Sequence, residues 1–499
     1  MLFDPEALHN KTRFLDAILK EPDMLERVVS RHIRKPFRHV LLPRVWEPGG
    51  GATLFRIESG DGAALLKVKH RSVYVESRLE GEPDFLRRPS LENEHDLLSL
   101  LSGEPFPRPL FFDEEGSFQF LALEWLEPFS AAVKTMTADR LFGAWQQIVE
   151  AVRTLFDMGI VHTDVHEQNI CFRDGIPVLV DFEEARSLRQ DVAFEDSLDV
   201  AGANRYGSVG EFPAAGGSVK GLTCLRRLRD VFKPLIRERL PELIEEANFD
   251  DSCPYNLDEL QEPDRRIYQS LDFPDLRVEG HRQKRDLRQL FFEYLLCRSG
   301  LEKGTVSHVD LGSNLGVFCF EAVRHPFVVS SLGLEAFDRY VEMAKILAFL
   351  YDIPRTRFAV FVCGKDSIGN ELKHADLVTM FSVYHHIADK DAFLEELRAL
   401  GARYLLAEFA VQDRYYPQRG GLLRELDHIQ STAGYARRYL LALSRDYQRP
   451  IVLFTDQGLT LLDRLFIRVA NSGLHPIGWA ALSLMRRFVV FSARHRRHG

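Results

Sequence analysis

Three clusters of polar residues in this chain have the types and spacing to do chemistry. The densest is His162-Thr163-Asp164-Val165-His166-Glu167-Gln168-Asn169, followed a short strand later by Asp181-Phe182-Glu183. Carboxylate and amide oxygens are hard donors suited to magnesium, and a carboxylate beside a hydroxyl can take its proton. Upstream, Lys67 ends the apolar run Ala63-Ala64-Leu65-Leu66, and Glu94 lies on the next helical segment, with Lys69 and Glu92 as alternates for the same cation and anion. The third cluster is His308-Val309-Asp310-Leu311-Gly312-Ser313-Asn314-Leu315-Gly316, a strand, a glycine turn and a helix start. Glu335 follows about twenty residues on, as an acid for ribose hydroxyls would. Such a turn lets backbone approach a nucleotide-type cofactor closely, and the spacing suits either S-adenosylmethionine or NAD.

These residues need elements to hold them. From Phe37 to about Leu126, short apolar runs alternate with turns such as Gly49-Gly50-Gly51, which reads as a strand-rich lobe. Ser90 to Leu101 is the exception: Leu91, Leu97, Leu98 and Leu101 share a helical face behind a Ser90 cap. Leu141, Trp145, Ile148, Val149, Val152, Leu155 and Phe156 mark a long amphipathic helix ended by Gly159, and the strands Ile160-Val161 and Val178-Leu179-Val180 bracket the first polar cluster. From Val306 onward, strand, glycine turn, helix and strand repeat in the manner of an open α/β sheet. The reading divides the chain into an N-terminal helical arm (1–35), a first domain (36–235), a helical or irregular connector (236–284) with the junction near 275, and a second domain (285–499). The fold class is multidomain, α+β and then α/β.

At 499 residues the chain exceeds what one core usually supports. With 45% hydrophobic and 27% charged residues it is ordinary for a globular protein, and a net charge of -9 supplies no basic field for nucleic acid, so no such partner is expected. Six scattered cysteines form no C-x-x-C pair and suggest reduced thiols. The opening residues Met1 to Glu6 lack the basic segment and apolar run expected of a secretory signal, and no window reaches roughly 18 continuous apolar residues. A cytoplasmic location is expected. The basic, partly apolar stretch from Leu459 to His498 leaves room for peripheral contact with the inner membrane surface or a glycan-assembly machinery, although much of it also fits a helix and hairpin of the second domain.

The first constellation resembles the H-x-D-x-x-x-x-N catalytic loop and D-F-G-type motif of the protein kinase superfamily, over roughly residues 37 to 235. The resemblance implies a bilobal kinase-like fold using ATP and magnesium. Asp164 would accept the proton of the attacking hydroxyl, Asn169 and Asp181 would ligate the metal, Lys67 would contact phosphate, and Glu94 would pair with Lys67. Gly49-Gly50-Gly51 would cover the phosphates, and Leu123-Glu124-Trp125-Leu126 would be the hinge. The glycine loop is not a clean G-x-G-x-x-G, Glu183 replaces the third glycine of D-F-G, and no A-P-E element follows. A sugar or small-molecule kinase therefore fits better than a regulated protein kinase. His166, where protein kinases carry lysine, resembles the aminoglycoside, choline and lipopolysaccharide-core kinases. His162 and His166 also form an i, i+4 pair, but the kinase pattern makes His162 a buried backbone organiser rather than a zinc ligand, and Glu184 and Arg186 read as solvated charges.

The second constellation resembles motif I of class I methyltransferases, over about residues 285 to 499. It implies a Rossmann-like fold in which Asp310, Gly312, Ser313, Asn314, Gly316 and Glu335 hold S-adenosylmethionine and Asp366 reaches the adenine amine. Ala375 to His386 resembles the motif IV strand, Tyr404 to Phe409 a fifth strand, and Arg487-Phe488-Val489-Val490-Phe491-Ser492 is the candidate terminal antiparallel strand. Methyl transfer relies largely on positioning, and His386 is the candidate base if the acceptor is a hydroxyl. The segment Gln412 to Arg449, with Arg414, Tyr415, Tyr416, Arg419 and Arg424, is expected to cover the acceptor; its arginines would hold a phosphate or form a solvated face.

Together the two halves resemble the bifunctional kinase-methyltransferases of bacterial O-antigen synthesis, in which the methyltransferase comes first, the reverse of the order here. The expected activity is phosphorylation followed by methylation of a saccharide, surface-glycan or small-molecule acceptor. The alternative is a methyltransferase of a small molecule or natural product with a kinase-like regulatory or scaffold domain.

Overall fold

A computed structural model of the chain describes residues 22–42, 52–60, 62–70, 90–101, 103–162, 165–182, 185–187, 220–248, 269–280, 286–410, 421–444, 448–472, 476–483 and 485. They cluster into two compact units that divide at Glu238 and Arg239.

The first unit begins with helix α1 (Pro22–His32) and strands β1 (Phe37–Leu41), β2 (Thr53–Ser59) and β3 (Gly62–His70). Helix α2 (Leu91–Leu100) and strands β4 (Pro109–Glu115) and β5 (Phe118–Glu124) follow. The five strands form an antiparallel sheet in the order β1-β2-β3-β5-β4. Its buried face alternates Phe55 and Ile57 with Leu66, Val68, Phe120 and Ala122, and Met24, Leu25, Val28 and Val29 of α1 complete that core. Ser90 caps α2, its hydroxyl accepting from the amide of Asn93 at 3.0 Å, and Leu91, Leu97 and Leu98 turn inward with Glu94.

After β6 (Glu127–Pro128) the chain becomes helical. Helix α3 (Ala138–Asp157) buries Leu141, Phe142, Trp145, Ile148 and Leu155 along one stripe. Strands β7 (Ile160–Val161), β8 (Ile170–Arg173) and β9 (Ile176–Leu179) come next, then β10 (Arg186–Ser187), which pairs with β7. The β8–β9 hairpin holds the polar loop between β7 and β8 against the segment that follows β9. Helix α4 (Lys220–Asn248) sets Phe232 against Phe129 and Trp145.

In the second unit a hairpin of β11 (Leu271–Phe273) and β12 (Leu276–Val278) is pinned by Phe273, whose ring stacks on Tyr351 at 4.0 Å. Helix α5 (Leu287–Lys303) is buried nearly all round, a helix the sequence reading did not single out because it lacks a polar stripe. Then come β13 (Val306–Leu311), α6 (Val317–Val323), β14 (Val328–Glu335), α7 (Asp338–Leu350), β15 (Thr356–Val360), β16 (Leu377–Phe381), α8 (Lys390–Leu400) and β17 (Tyr404–Glu408). The unit continues with α9 (Gly421–Thr432), β18 (Arg437–Leu443), β19 (Pro450–Thr455) and α10 (Leu461–Asn471). Seven strands form one sheet in the order β15-β14-β13-β16-β17-β19-β18, parallel from β15 through β17, with β19 antiparallel to both its neighbours. The order reverses between β13 and β16, which is where open α/β sheets place ligands. This is a Rossmann-like sheet with one reversed strand near its far edge.

Among the described residues the reversed strand is Pro450–Thr455, whose six residues are all buried; Arg487–Ser492 lies outside the described residues. Both are short apolar runs with an edge-strand look, and such a run does not say which partner it will pair with. Similarly, the stretch expected to cover an acceptor supplies helix α9 and edge strand β18, while Gln412, Arg414, Tyr415, Tyr416 and Arg419 lie outside the described residues.

Candidate active sites

In the first unit, β3 and α2 bring one cation to two acids. Lys67 Nζ lies 2.8 Å from each carboxylate oxygen of Glu94 and 2.7 Å from Asp181 Oδ1. Of the alternates at this position, Glu92 is exposed whereas Glu94 is fully buried, because it shares the inward face of α2 with Leu91, Leu97 and Leu98. Burial alone would discharge Lys67, but the carboxylates of Asp181 and Glu94 outweigh it and hold the ammonium above the usual lysine range. Glu94 Oε1 also accepts from the amide of Phe182 at 3.3 Å. Phe182 in turn meets the rings of His162 and Phe106 edge-on.

Asp181 has φ of +68°, a left-handed backbone rare outside glycine, and its side chain is 43% exposed. Asn169, buried at the end of a 3-10 turn, accepts through its backbone carbonyl from the amide of Val180 at 2.9 Å, the residue just before Asp181. The two residues supply the hard oxygens that magnesium takes, so the donor chemistry fits that ion. His162 Nε2 bonds the carbonyl of Val180 at 2.9 Å, and His166 Nδ1 accepts from the amide of Gln168, so both rings are engaged in shaping the loop. Asp164, Glu183, Glu184 and the triplet Gly49-Gly50-Gly51 lie outside the described residues.

The segment read as a hinge carries a clamp that the sequence did not announce. Glu124 accepts from Arg108 at 3.0 Å and also from Arg173 on β8, while Arg173 donates to the carbonyl of Phe106 at 2.9 Å. These partners are 16 and 49 residues away, beyond any local pattern. Arg56 of β2 stacks over the ring of Trp125 at 4.4 Å.

In the second unit, the residues singled out from the sequence lie past the carboxyl ends of four neighbouring parallel strands. Gly312, Asn314 and Gly316 all have positive φ, and the amides of Gly312 and Ser313 donate to the carbonyl of Leu334 at 2.7 and 3.1 Å. The resulting loop is tight. A Cβ on Gly312 would meet Val383 Cγ2 at 2.2 Å, and one on Gly316 would meet Phe358 at 2.5 Å. Gly333 on β14, which the sequence reading passed over, is equally constrained, since its Cβ would meet Phe358 Cδ1 at 2.5 Å.

Glu335 closes β14, buried, with the amides of Asn314 and Phe337 donating to its two oxygens at 2.8 and 3.2 Å. Burial nonetheless raises its pKa above the ordinary glutamate value. Burial likewise pushes Asp310 up to about 7, against a hydrogen bond from Thr379 and the charge of Arg288. Asp310 Oδ2, Ser313 Oγ and Asn314 Oδ1 are buried without a hydrogen-bond partner among the described residues. Three such orphans within five residues call for a polar ligand, and an S-adenosylmethionine fits that donor and acceptor set. Asp366 follows β15, exposed, its carboxylate accepting from the amide of Val362 at 2.7 Å. His386, itself exposed, follows β16 on a 3-10 turn that buries Tyr384, its ring 3.9 Å from that of His385.

Beside them is a buried chain the sequence reading missed. Ser382, with φ of +61°, donates to Glu408 Oε2 at 2.6 Å and accepts from Arg449 Nη1 at 2.8 Å. Its members end β16, end β17 and begin β19, so only the sheet order assembles them.

No protein-family model matches the chain, and no curated protein does. Among solved structures, the bifunctional kinase-methyltransferase WbdD aligns with a TM-score of 0.32 at 18% identity, over 44% of this chain and 47% of that one. The chain thus spans less than half the length of the WbdD structure that it matches. A SAM-dependent methyltransferase from Aquifex aeolicus aligns with a TM-score of 0.27 at 15% identity, over 34% of this chain and 90% of that one. EvdMO1 aligns with a TM-score of 0.28 at 15% identity, over 40% and 46% of the respective chains.

Proposed function

We propose that the chain is a bifunctional transferase, with an ATP- and magnesium-dependent phosphotransferase in its first unit and an S-adenosylmethionine-dependent methyltransferase in its second. The acceptor class we favour is a saccharide or surface glycan, phosphorylated and then methylated. The observation that carries the reading is the set of buried, unpartnered oxygens inside a glycine-lined loop at the switch point of a methyltransferase-ordered sheet. The Lys67, Glu94 and Asp181 cluster supports the first activity.

In the second unit, a bound S-adenosylmethionine would supply a methyl group activated on a sulfonium, the new C–O bond forming as the C–S bond breaks and a neutral thioether leaves. Glu335 is placed for ribose hydroxyls and Asp310 for an ammonium group, while the turn around Gly312 and Gly316 lets backbone approach. Asp366 is assigned to adenine. His386 is the proton acceptor when the nucleophile is a hydroxyl, and a phosphate nucleophile needs none. In the first unit, Lys67 orients phosphate oxygens, held in place by Glu94. Asn169 and Asp181 are the proposed magnesium ligands, and Asp164 takes the hydroxyl proton.

The test is to incubate the purified chain with ATP, magnesium, labelled S-adenosylmethionine and bacterial glycan acceptors, and to weigh the products. Addition of one phosphate and one methyl group is expected, with Asp164→Asn abolishing the phosphate increment. Methyl transfer without phosphoryl transfer would recast the first unit as a regulatory module. Transfer of neither group would end the proposal.

A further inference from the structure

Behind the glycine loop, a line of buried hydrogen bonds crosses three parallel strands. His308 of β13 is buried, its Nδ1 2.7 Å from Ser331 Oγ on β14 and its Nε2 2.9 Å from Thr379 Oγ1 on β16. Thr379 Oγ1 lies 2.6 Å from Asp310 Oδ1 and 3.4 Å from the carbonyl of Val309. A threonine hydroxyl has one hydrogen, and the shorter contact, to a group that only accepts when ionised, takes it. Thr379 must then accept from His308, which places the imidazole hydrogen on Nε2. Nδ1 is left as an acceptor for the Ser331 hydroxyl. Burial holds His308 neutral by pushing it down to about 3, so one tautomer satisfies every link. Each hydrogen in the line points toward Asp310.

The surroundings of Asp310 otherwise pull in opposite directions. Glu335 on β14 disfavours its charge, Arg288 on α5 favours it, and Cys319 on α6 is a further titratable neighbour whose thiol burial pushes up. We propose that Ser331, His308 and Thr379 are positioning residues, which aim a hydrogen-bond donor at Asp310 Oδ1, keep that carboxylate charged inside the core, and so set the affinity for a ligand bearing an ammonium group. The ammonium is that of S-adenosylmethionine under the reading above, but the effect on Asp310 belongs to the chain itself. It is therefore separable from that reading.

The test titrates the Asp310 carboxyl by carbon-13 magnetic resonance in the full chain without ligand, its signal identified by its loss in Asp310→Asn. In parallel, calorimetry measures S-adenosylmethionine affinity from pH 6 to 8. Thr379→Val is expected to raise the Asp310 midpoint by about one pH unit and to weaken binding at pH 7 by roughly fivefold. Thr379→Ser restores the original midpoint, and Ser331→Ala moves it in the same direction as Thr379→Val by less. A folded Thr379→Val chain with an unshifted midpoint overturns the proposal. Should that variant fail to fold, Ser331→Ala decides alone, and an unchanged midpoint there is equally fatal. If the midpoint moves while the parent chain binds no S-adenosylmethionine, the positioning line stands and the methyl-donor reading falls.

Discussion

Lys67 Nζ stands 2.8 Å from both carboxylate oxygens of Glu94, joining the middle strand of the first sheet to helix α2. Glu94 is fully buried, so its charge is tolerated only while the ammonium is there.

Lys67→Met should therefore unfold the first unit more easily, by about 3–5 kcal/mol, because it strands a buried carboxylate. Adding Glu94→Leu to that variant should recover most of the loss, while phosphoryl transfer stays absent in both. Denaturant melts of the single and double variants check this. Equal destabilisation by both would show that the pair is not what holds the helix to the sheet.

The glycine cradle yields a prediction with a built-in rescue. Gly333→Ala places a Cβ 2.5 Å from the Phe358 ring and should cost about 1–3 kcal/mol and most of the S-adenosylmethionine affinity. Phe358→Leu in the same chain should return part of both, as read by thermal melts and calorimetry. The backbone at Gly333 needs no left-handed conformation, so steric room is the whole effect.

Asp310 makes stability depend on pH in a definite direction. Its folded value is raised from 3.8 to about 7, so between those limits the folded state binds the extra proton and stability falls as pH rises. Asp310→Asn removes that slope. Relative to the parent, the variant should gain about 1.4 kcal/mol per pH unit across that window and gain nothing further above it. Melting curves at pH 5, 6, 7 and 8 measure the gain, and a constant difference would contradict the raised value.

Much of this was legible because short-range signals were strong. Ser90 before a leucine-faced helix does cap it, and Gly312, Asn314 and Gly316 sit in a turn of left-handed residues. Glu92 stayed an alternate to Glu94 in the sequence, and burial in the structure decides between them, since only Glu94 shares the inward face of α2. What stayed hidden depends on strand order. Pro450–Thr455 is a short apolar run, and its pairing with β17 and β18 rather than its composition makes it the reversed strand. Ser382, Glu408 and Arg449 meet only because β16, β17 and β19 are neighbours. Arg173, at the end of β8, reaches Glu124 on β5 from a different sheet, and Thr379 finds Asp310 from a strand 69 residues further on.

The most direct measurement is calorimetric titration of the full chain with S-adenosylmethionine and, separately, with ATP and magnesium. One saturable site is predicted for each, the first lost in Glu335→Ala and the second in Asp181→Asn, with neither substitution disturbing the other site. Well-folded protein that gives no heat with either ligand would contradict the account.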